Sequence, residues 1–206
     1  MNAPYDEFAQ LGSATVYEAA GREGLIDADL IQVLPQTSVA GPARTVACGQ
    51  DDNLMVHAAM AALQPGEVLV LTMPEPRPVA LVGDLLATQA KVHGAAGILV
   101  DAAVRDVADL RALGLPVWSR WVRIRGARKD TVGTIGEPVE VGGQRIATGD
   151  VVVLDADGGA VVPVARTDEV LEASRARLEK ERIKRQKLQD GALSYELDEL
   201  RAVVEG

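Results

Sequence analysis

A mixed α/β layered fold is predicted by three features of the sequence. Two runs, PGEVLVLTM and GAAGILVD, are apolar without alternation, as strands covered on both faces must be. A helical pattern starting at Asp84 separates them. After residue 132 short apolar segments are joined in pairs by glycine-marked turns, the signature of hairpins. Strand–helix–strand units followed by hairpins define a layered α/β class.

The elements follow in order. SATVYEAAGREG, residues 13–24, reads as a short helix that Ser13 or Thr15 could cap and Gly24 could end. VAGPARTVACG, near 39–49, reads as a strand with a Gly-Pro entry. Asp51 to Leu63 reads as a helix, with Leu54, Ala58, Ala61 and Ala62 on its apolar face. A buried strand is expected over 67–73, then a proline-rich loop, MPEPRPVALVG.

A helix should run from Asp84 to about His93, and a second buried strand over 95–101. AAVRDVADLRALG holds a loop and a short helix with Leu110 and Leu113 inward, and LPVWSRWVRIRG is another strand. VEVGGQRIATGD should turn at Gly142–Gly143, and DVVVLDADGGAVVPV at Asp157–Gly158–Gly159. Thr167 is placed to cap a long charged helix to about Leu188, with Asp168 and Glu169 at its positive end. Its apolar positions, Val170, Leu171, Ser174 and Leu178, give way to charge from Glu179 to Lys187.

Composition narrows the function. A chain of 206 residues is expected to form one main domain with a full core. Aromatic residues are only 3%, so that core must be built from Val, Leu, Ile and Ala. The formal net charge of -9 argues against nucleic acid, whose phosphates need a basic face. The single cysteine, Cys48, allows no intrachain disulfide and fits a cytoplasmic location. Its place in TVACG suits a buried strand residue better than a nucleophile. MNAPYDEFAQ has no signal-peptide pattern, and no apolar run is long enough for a membrane.

The chemistry concentrates between Gly83 and Asp106. In GDLLA a loop delivers the chain into a helix, whose first N–H groups, at Leu85 and Leu86, can hold a carboxylate. Asp84 alone would read as an N-cap. VDAAVRD then ends the second buried strand, with Arg105 and Asp106 in the loop after Asp101. Ligands in open α/β sheets bind beyond the carboxyl ends of strands. Two carboxylates can hold a hard divalent cation directly or through water. A neighbouring arginine can hold the oxygen of a 2-oxo acid as charge develops on it. A Schiff-base mechanism would need a buried lysine, and Lys91, well into its helix, is badly placed.

Asp84, twenty residues, then Arg105-Asp106 is the pattern by which the sequence resembles the class II pyruvate aldolases of the RraA-like family. The resemblance extends over nearly the whole chain, through SATVYEAAGREG, GPARTVACGQDDNLMVHAAM, QPGEVLVLTMPEPRPVALVGDLLATQA, LRALGLPVWSRWV, GDVVVLDADG and the terminal charged helix. It implies an RraA-like layered α/β/β/α sandwich of the swivelling β/β/α type over residues 1–165. A helical extension, 166–206, would pack on a neighbouring subunit of a homotrimer or hexamer.

The resemblance also implies roles. Asp106 would bind Mg²⁺ or Mn²⁺ directly, and Asp84 would act on that ion through water. Arg105 would bind the keto oxygen and stabilise the pyruvate enolate. Gly83 and the N–H groups of Leu85 and Leu86 would receive the pyruvyl carboxylate, with Asn53 bordering the substrate and His57 one turn beyond. Glu181 would reach the ion's waters from the adjacent subunit, and Glu18 would line the pocket. A water oriented by Asp84 and Glu181 is the candidate base for the 4-hydroxyl proton. Arg22, Arg44 and Arg123 are the candidates for reading a distal carboxylate.

The implied reaction is retro-aldol cleavage of 4-carboxy-4-hydroxy-2-oxoadipate, or of 4-hydroxy-4-methyl-2-oxoglutarate, to pyruvate and a second 2-oxo acid. Oxaloacetate decarboxylation passes through the same enolate. The setting would be bacterial breakdown of aromatic acids. The family's glycine after the strand aspartate is replaced by Ala102, which matters if that backbone needs a positive φ or a close approach of ligand. The alternative is a non-catalytic RraA-like protein that binds and regulates a ribonuclease. A methyltransferase reading lacks a glycine-rich strand-to-helix fingerprint.

Overall fold

The structure, a computed structural model, describes residues 3–205. Met1 and Asn2 of the N-terminal reading lie outside them. The chain forms helices α1 (Ala3–Leu11) and α2 (Ser13–Ala19), strands β1 (Ile31–Gln32) and β2 (Val39–Ala47), and helix α3 (Leu54–Ala59). Then come β3 (Val68–Thr72), β4 (Ala80–Val82), α4 (Asp84–Val92), β5 (Gly97–Val104), α5 (Val107–Leu113) and β6 (Val117–Val122). The second half holds β7 (Thr134–Ile135), β8 (Val139–Val141), β9 (Gln144–Ile146), β10 (Val151–Leu154) and β11 (Gly159–Val162). The long α6 (Thr167–Gln189) and the short α7 (Ser194–Leu197) and α8 (Arg201–Glu205) follow.

One sheet runs β1-β6-β5-β3-β2-β10-β11, with β4 added to β5 and β7 to β2. β5 pairs parallel with β3 and β6, as the strand–helix–strand pattern requires. β2 changes partners along its length. Val39–Pro42 pair antiparallel with β10, and Ala43–Ala47 pair parallel with β3. The Gly-Pro step falls at that change. Gly41 passes so close to Gly66 that a Cβ would strike its carbonyl oxygen.

Both faces of β3 are covered. Leu69 and Leu71 join a core beneath α3, α4 and α5, while Val68 and Val70 join a second core with Val139, Val141 and Ile146 of the β8–β9 hairpin. This double burial explains the unbroken apolar run. A third core sets Phe8, Val16, Val170 and Leu171 of α1, α2 and α6 against β10 and β11. Both hairpins form, the β8–β9 turn at Gly142–Gly143 as expected and the β10–β11 turn over 155–158, because Gly159 already pairs with Leu154 in β11. Gly142 and Gly143 both have positive φ, 55° and 73°, which the tight two-residue turn demands.

Several expectations change. α1 was not foreseen, and α3 is much shorter than the 51–63 span. Gly12, not Ser13 or Thr15, precedes α2. Ser13 instead gives its N–H and hydroxyl to Asp155, at 2.6 and 2.7 Å, so a distant carboxylate caps the helix. Thr167 starts α6, but its hydroxyl donates to the Val164 carbonyl and Arg166 holds the cap position. The segment read as a proline-rich loop contains β4, and β5 continues three residues past Asp101. Early α6 packs on α1 and α2, where Arg175 pairs with Glu7, whereas Leu178 is 43% exposed.

Candidate functional site

β4 decides the site. It pairs parallel with the end of β5, with Val82 opposite Val104, and the Arg105 N–H donates to the Val82 carbonyl at 3.1 Å. Val82 and Val104 are as far apart in sequence as Asp84 and Asp106. Parallel pairing therefore carries the chain out of both strands together, and α4 and α5 begin side by side.

At the start of α4, Gly83 is the cap residue and Asp84 the first helical residue, so Asp84 is not the N-cap that it resembled. Its N–H lies 3.2 Å from Asp106 Oδ2. The Leu85 and Leu86 N–H groups have no acceptor among the described residues. Leu86 is buried, and Leu85 is 75% exposed. The start of α4 thus presents free N–H groups at its positive end.

Asp106 is the cap residue of α5 and sits in the left-handed region, φ 58° and ψ 41°. Aspartate tolerates this better than most residues, yet the conformation still costs on the order of 1 kcal/mol. Its side chain makes no capping bond. It turns to the Asp84 N–H and to Arg105, whose Nε is 3.4 Å from Oδ2.

Two glycines make room for this arrangement. A Cβ on Gly83 would run into the Asp106 carboxylate and lie 3.1 Å from Arg105 Nε. One on Gly126 would lie 3.0 Å from an Arg105 terminal nitrogen. Ala102 is buried inside β5 and is not among the positive-φ residues, so its replacement of glycine leaves the Arg105 backbone unstrained.

A cavity of about 220 Å³ opens here, and Gly83, Asp84, Leu85, Leu86, Arg105 and Asn53 all border it. Asn53, 7% exposed, donates to the Leu81 carbonyl at 2.9 Å, while its Oδ1 has no partner among the described residues. His57 and Lys129 complete the polar lining. Desolvation and the Lys129 charge hold the His57 imidazole below its ordinary pKa. Lys129 was not foreseen. It stands in an irregular segment, and nothing in the local pattern distinguishes it from a surface lysine.

Other candidates lie elsewhere. Glu18 and Glu181 do not border the cavity. They meet on the α2–α6 face around Arg177, which is 3.7 Å from Glu18 and 3.0 Å from Glu181. Arg22 pairs with Glu18 there. Arg44 is spent on a two-pronged contact with Glu67, at 2.9 and 2.6 Å. Arg123 donates to the neighbouring Val122 carbonyl. Lys91 donates to the Leu113 carbonyl, away from the cavity. Asp101 lies inside β5, 3% exposed, paired with Arg120 at 2.6 Å. Burial pushes its carboxyl up, against the pull of Arg120. Burial also pushes the Cys48 thiol up to about 12.

The donor set suits a hard divalent cation. Asp84 and Asp106 offer only oxygen, and Mg²⁺ typically takes one or two carboxylates and keeps water in the rest of its shell. The space left by the missing Cβ of Gly83 keeps the Asp106 carboxylate open. Among the described residues no group of three or more His, Cys, Asp or Glu side chains is assembled to hold a metal. Any third acidic group would have to come from outside this chain's own cavity.

Residues 13–162 match the family described as RraA-like, Aldolase/RraA. A Halalkalibacterium halodurans protein, provisionally named a 4-hydroxy-4-methyl-2-oxoglutarate aldolase, is 35% identical over 76% of this chain and 74% of its own. The crystal structure of Streptomyces coelicolor RraAS2, described as an unusual member of the RNase ES inhibitor RraA protein family, superposes with a TM-score of 0.78. It is 29% identical, over 90% of this chain and 96% of that one. A Geobacillus kaustophilus structure described as an S-adenosylmethionine:2-dimethylmenaquinone methyltransferase is 30% identical with a TM-score of 0.67, over 73% and 93%. By sequence and by its mixed α/β fold with a helical C-terminal region, the chain belongs to the RraA-like family.

Proposed function

We propose that this protein is a divalent-metal-dependent aldolase. It cleaves 4-hydroxy-2-oxo acids that carry a carboxylate at C4, namely 4-carboxy-4-hydroxy-2-oxoadipate and 4-hydroxy-4-methyl-2-oxoglutarate, and also decarboxylates oxaloacetate. The observation that carries this reading is the meeting of free α4 N–H groups, Asp84 and Arg105 at one cavity, with the Asp106 carboxylate beside it against the Asp84 N–H and Arg105.

The substrate's 2-oxo carboxylate lies on the Leu85 and Leu86 N–H groups, where the helix terminus favours negative charge. Asn53, fixed by its bond to Leu81, borders the same cavity. Arg105 meets the 2-keto oxygen. When the C3–C4 bond breaks, its electron pair passes into that oxygen, and the guanidinium stabilises the enolate. The C4 hydroxyl loses its proton towards the Asp84 side of the cavity, and C4 becomes the carbonyl of the departing 2-oxo acid. A proton returned to C3 completes pyruvate. In oxaloacetate CO₂ leaves in place of the second acid, and Arg105 does the same work.

Mg²⁺ or Mn²⁺, held by Asp106 with Asp84 behind a water, would supply a further positive charge at the keto oxygen. Glu181 belongs to this reading as the contribution of an adjacent subunit in a trimer or hexamer, with residues 166–206 as the segment that carries it across. Glu18, which meets Glu181 around Arg177 in the same chain, would accompany it.

A test is pyruvate release from each substrate with Mg²⁺ and with EDTA, alongside Arg105→Ala and Asp106→Ala. Metal-dependent release lost in both variants supports the aldolase. The similarity to RraAS2 favours a second reading, a protein-binding regulator of a ribonuclease. Release of no pyruvate from any substrate by the intact protein would leave that reading in its place.

A further inference from the structure

The cavity takes positive charge from two elements. Arg105 leaves the end of β5 beside Asp106. Lys129 comes from the irregular segment between β6 and β7, which also supplies Gly126 and Ala127 to the lining. Lys129 forms no ion pair among the described residues, although the chain carries a net charge of -9. A lysine that borders a cavity and answers to no carboxylate of its own chain is placed for an anion from outside.

Its segment is not left loose. On one side of Lys129 the Arg125 carbonyl accepts from the Ala80 N–H at 2.7 Å, which ties the loop to β4. Next to it the Arg128 carbonyl accepts from the Asn53 N–H at 2.9 Å, and the Arg128 N–H donates to the Asp51 carbonyl at 2.9 Å. On the other side the Asp130 and Thr131 N–H groups donate to Asp52 Oδ2, at 2.8 and 3.1 Å. Asp52 is fully buried, and its Oδ1 accepts from the Leu54 N–H at the start of α3. One carboxylate thus fastens the Lys129 segment to the helix that carries Asn53 and His57. Holding the backbone between β4 and α3 keeps the base of this exposed side chain at the rim of the cavity.

We propose that Lys129 determines specificity at this site by taking the distal carboxylate of a dicarboxylic 2-oxo acid whose first carboxylate lies on the α4 N–H groups. The inference rests on the 2-oxo acid reading of the cavity and adds to it the second anchor. None of Arg22, Arg44 and Arg123, the arginines considered for this role, borders the cavity. A lysine's compact charge on a flexible stem tolerates different C4 substituents, provided the C4 carboxylate is present. A 4-hydroxy-2-oxo acid without that carboxylate would leave the ammonium unanswered.

The test is calorimetric titration of the full-length protein, with saturating Mg²⁺, using two non-cleavable five-carbon probes. 2-Oxoglutarate carries the distal carboxylate, and 2-oxopentanoate has a methyl group in its place. The intact protein should bind 2-oxoglutarate at least about tenfold more tightly, the effect of one charge-assisted contact. Lys129→Ala should erase the preference while leaving 2-oxopentanoate binding unchanged. Lys129→Arg should restore it, which an imine-forming role would not allow. Retention of the preference in Lys129→Ala, or equal binding of the two probes by the intact protein, would overturn the proposal while leaving the aldolase assay untouched. Binding of neither probe would overturn it together with the 2-oxo acid reading.

Discussion

Asp84 and Asp106 meet through the Asp84 backbone N–H, 3.2 Å from Asp106 Oδ2, across 22 residues of chain. The contact does not bring the two carboxylates together by attraction, since like charges repel. It is enforced by the pairing of β4 with β5 and by the absence of a side chain on Gly83. Substrate and metal chemistry are both proposed to use this junction, so its geometry should be sensitive to small additions of volume.

Gly83→Ala tests this. Gly83 has φ −130°, so alanine incurs no backbone strain. The added methyl displaces the Asp106 carboxylate and crowds Arg105. The expected result is a folded protein, with stability within about 1 kcal/mol of the parent, and kcat/KM for pyruvate release reduced by about a hundredfold. A variant with parental activity would show that the junction is not the reacting centre.

Asp106→Asn separates charge from shape. Asparagine also tolerates the left-handed backbone, so the melting temperature should change little. Loss of the anionic oxygen should weaken Mg²⁺ activation, with turnover falling by about a hundredfold or more. Arg105→Lys keeps a positive charge but shortens its reach and removes the planar fork. It should cut kcat by about tenfold to a hundredfold. Steady-state kinetics over a Mg²⁺ titration measures both effects.

Asp52 predicts the acid behaviour of the wall that carries Lys129. Burial pushes its carboxyl up, but the N–H donors of Asp130, Leu54 and Thr131 outweigh burial and hold it below the ordinary carboxylate range. Its contribution to stability is therefore complete above the unfolded-state value, near 3.9, and is lost as pH falls from there through the lower folded-state value. Asp52→Ala leaves three N–H groups without an acceptor and should cost about 3 kcal/mol at neutral pH. Its unfolding free energy should also fall less steeply in acid than that of the parent. Urea melts from pH 2 to pH 7 show both.

Cys48 predicts a negative result that reads out packing. With the thiol pushed up to about 12 by burial, almost no thiolate exists at neutral pH. A disulfide reagent should label the thiol only after unfolding, and Cys48→Ala should retain pyruvate release. Rapid labelling of the native protein would show that the β2 region opens.

The sequence by itself determined the layered class, both hairpins and the α4 start. These are local signals. An unbroken apolar run of strand length fits a strand covered on both faces, and Gly142–Gly143 supplies the positive φ of a tight turn. The spacing from Asp84 to Asp106 is that of β4 and β5 pairing in parallel, so the motif itself records a tertiary register. The tertiary structure alone decided the rest. β4 is three residues behind a run of prolines, and it becomes a strand only because β5 offers a partner. Ser13 looked like a cap because its type favours that role, but Asp155, far along the chain, supplies the cap. Glu18 and Arg177 meet between α2 and α6, far apart in the chain and away from the cavity. Lys129 reaches the cavity because buried Asp52 fastens its segment to α3. In each case the deciding partner is remote in sequence, where neither propensity nor period carries any signal.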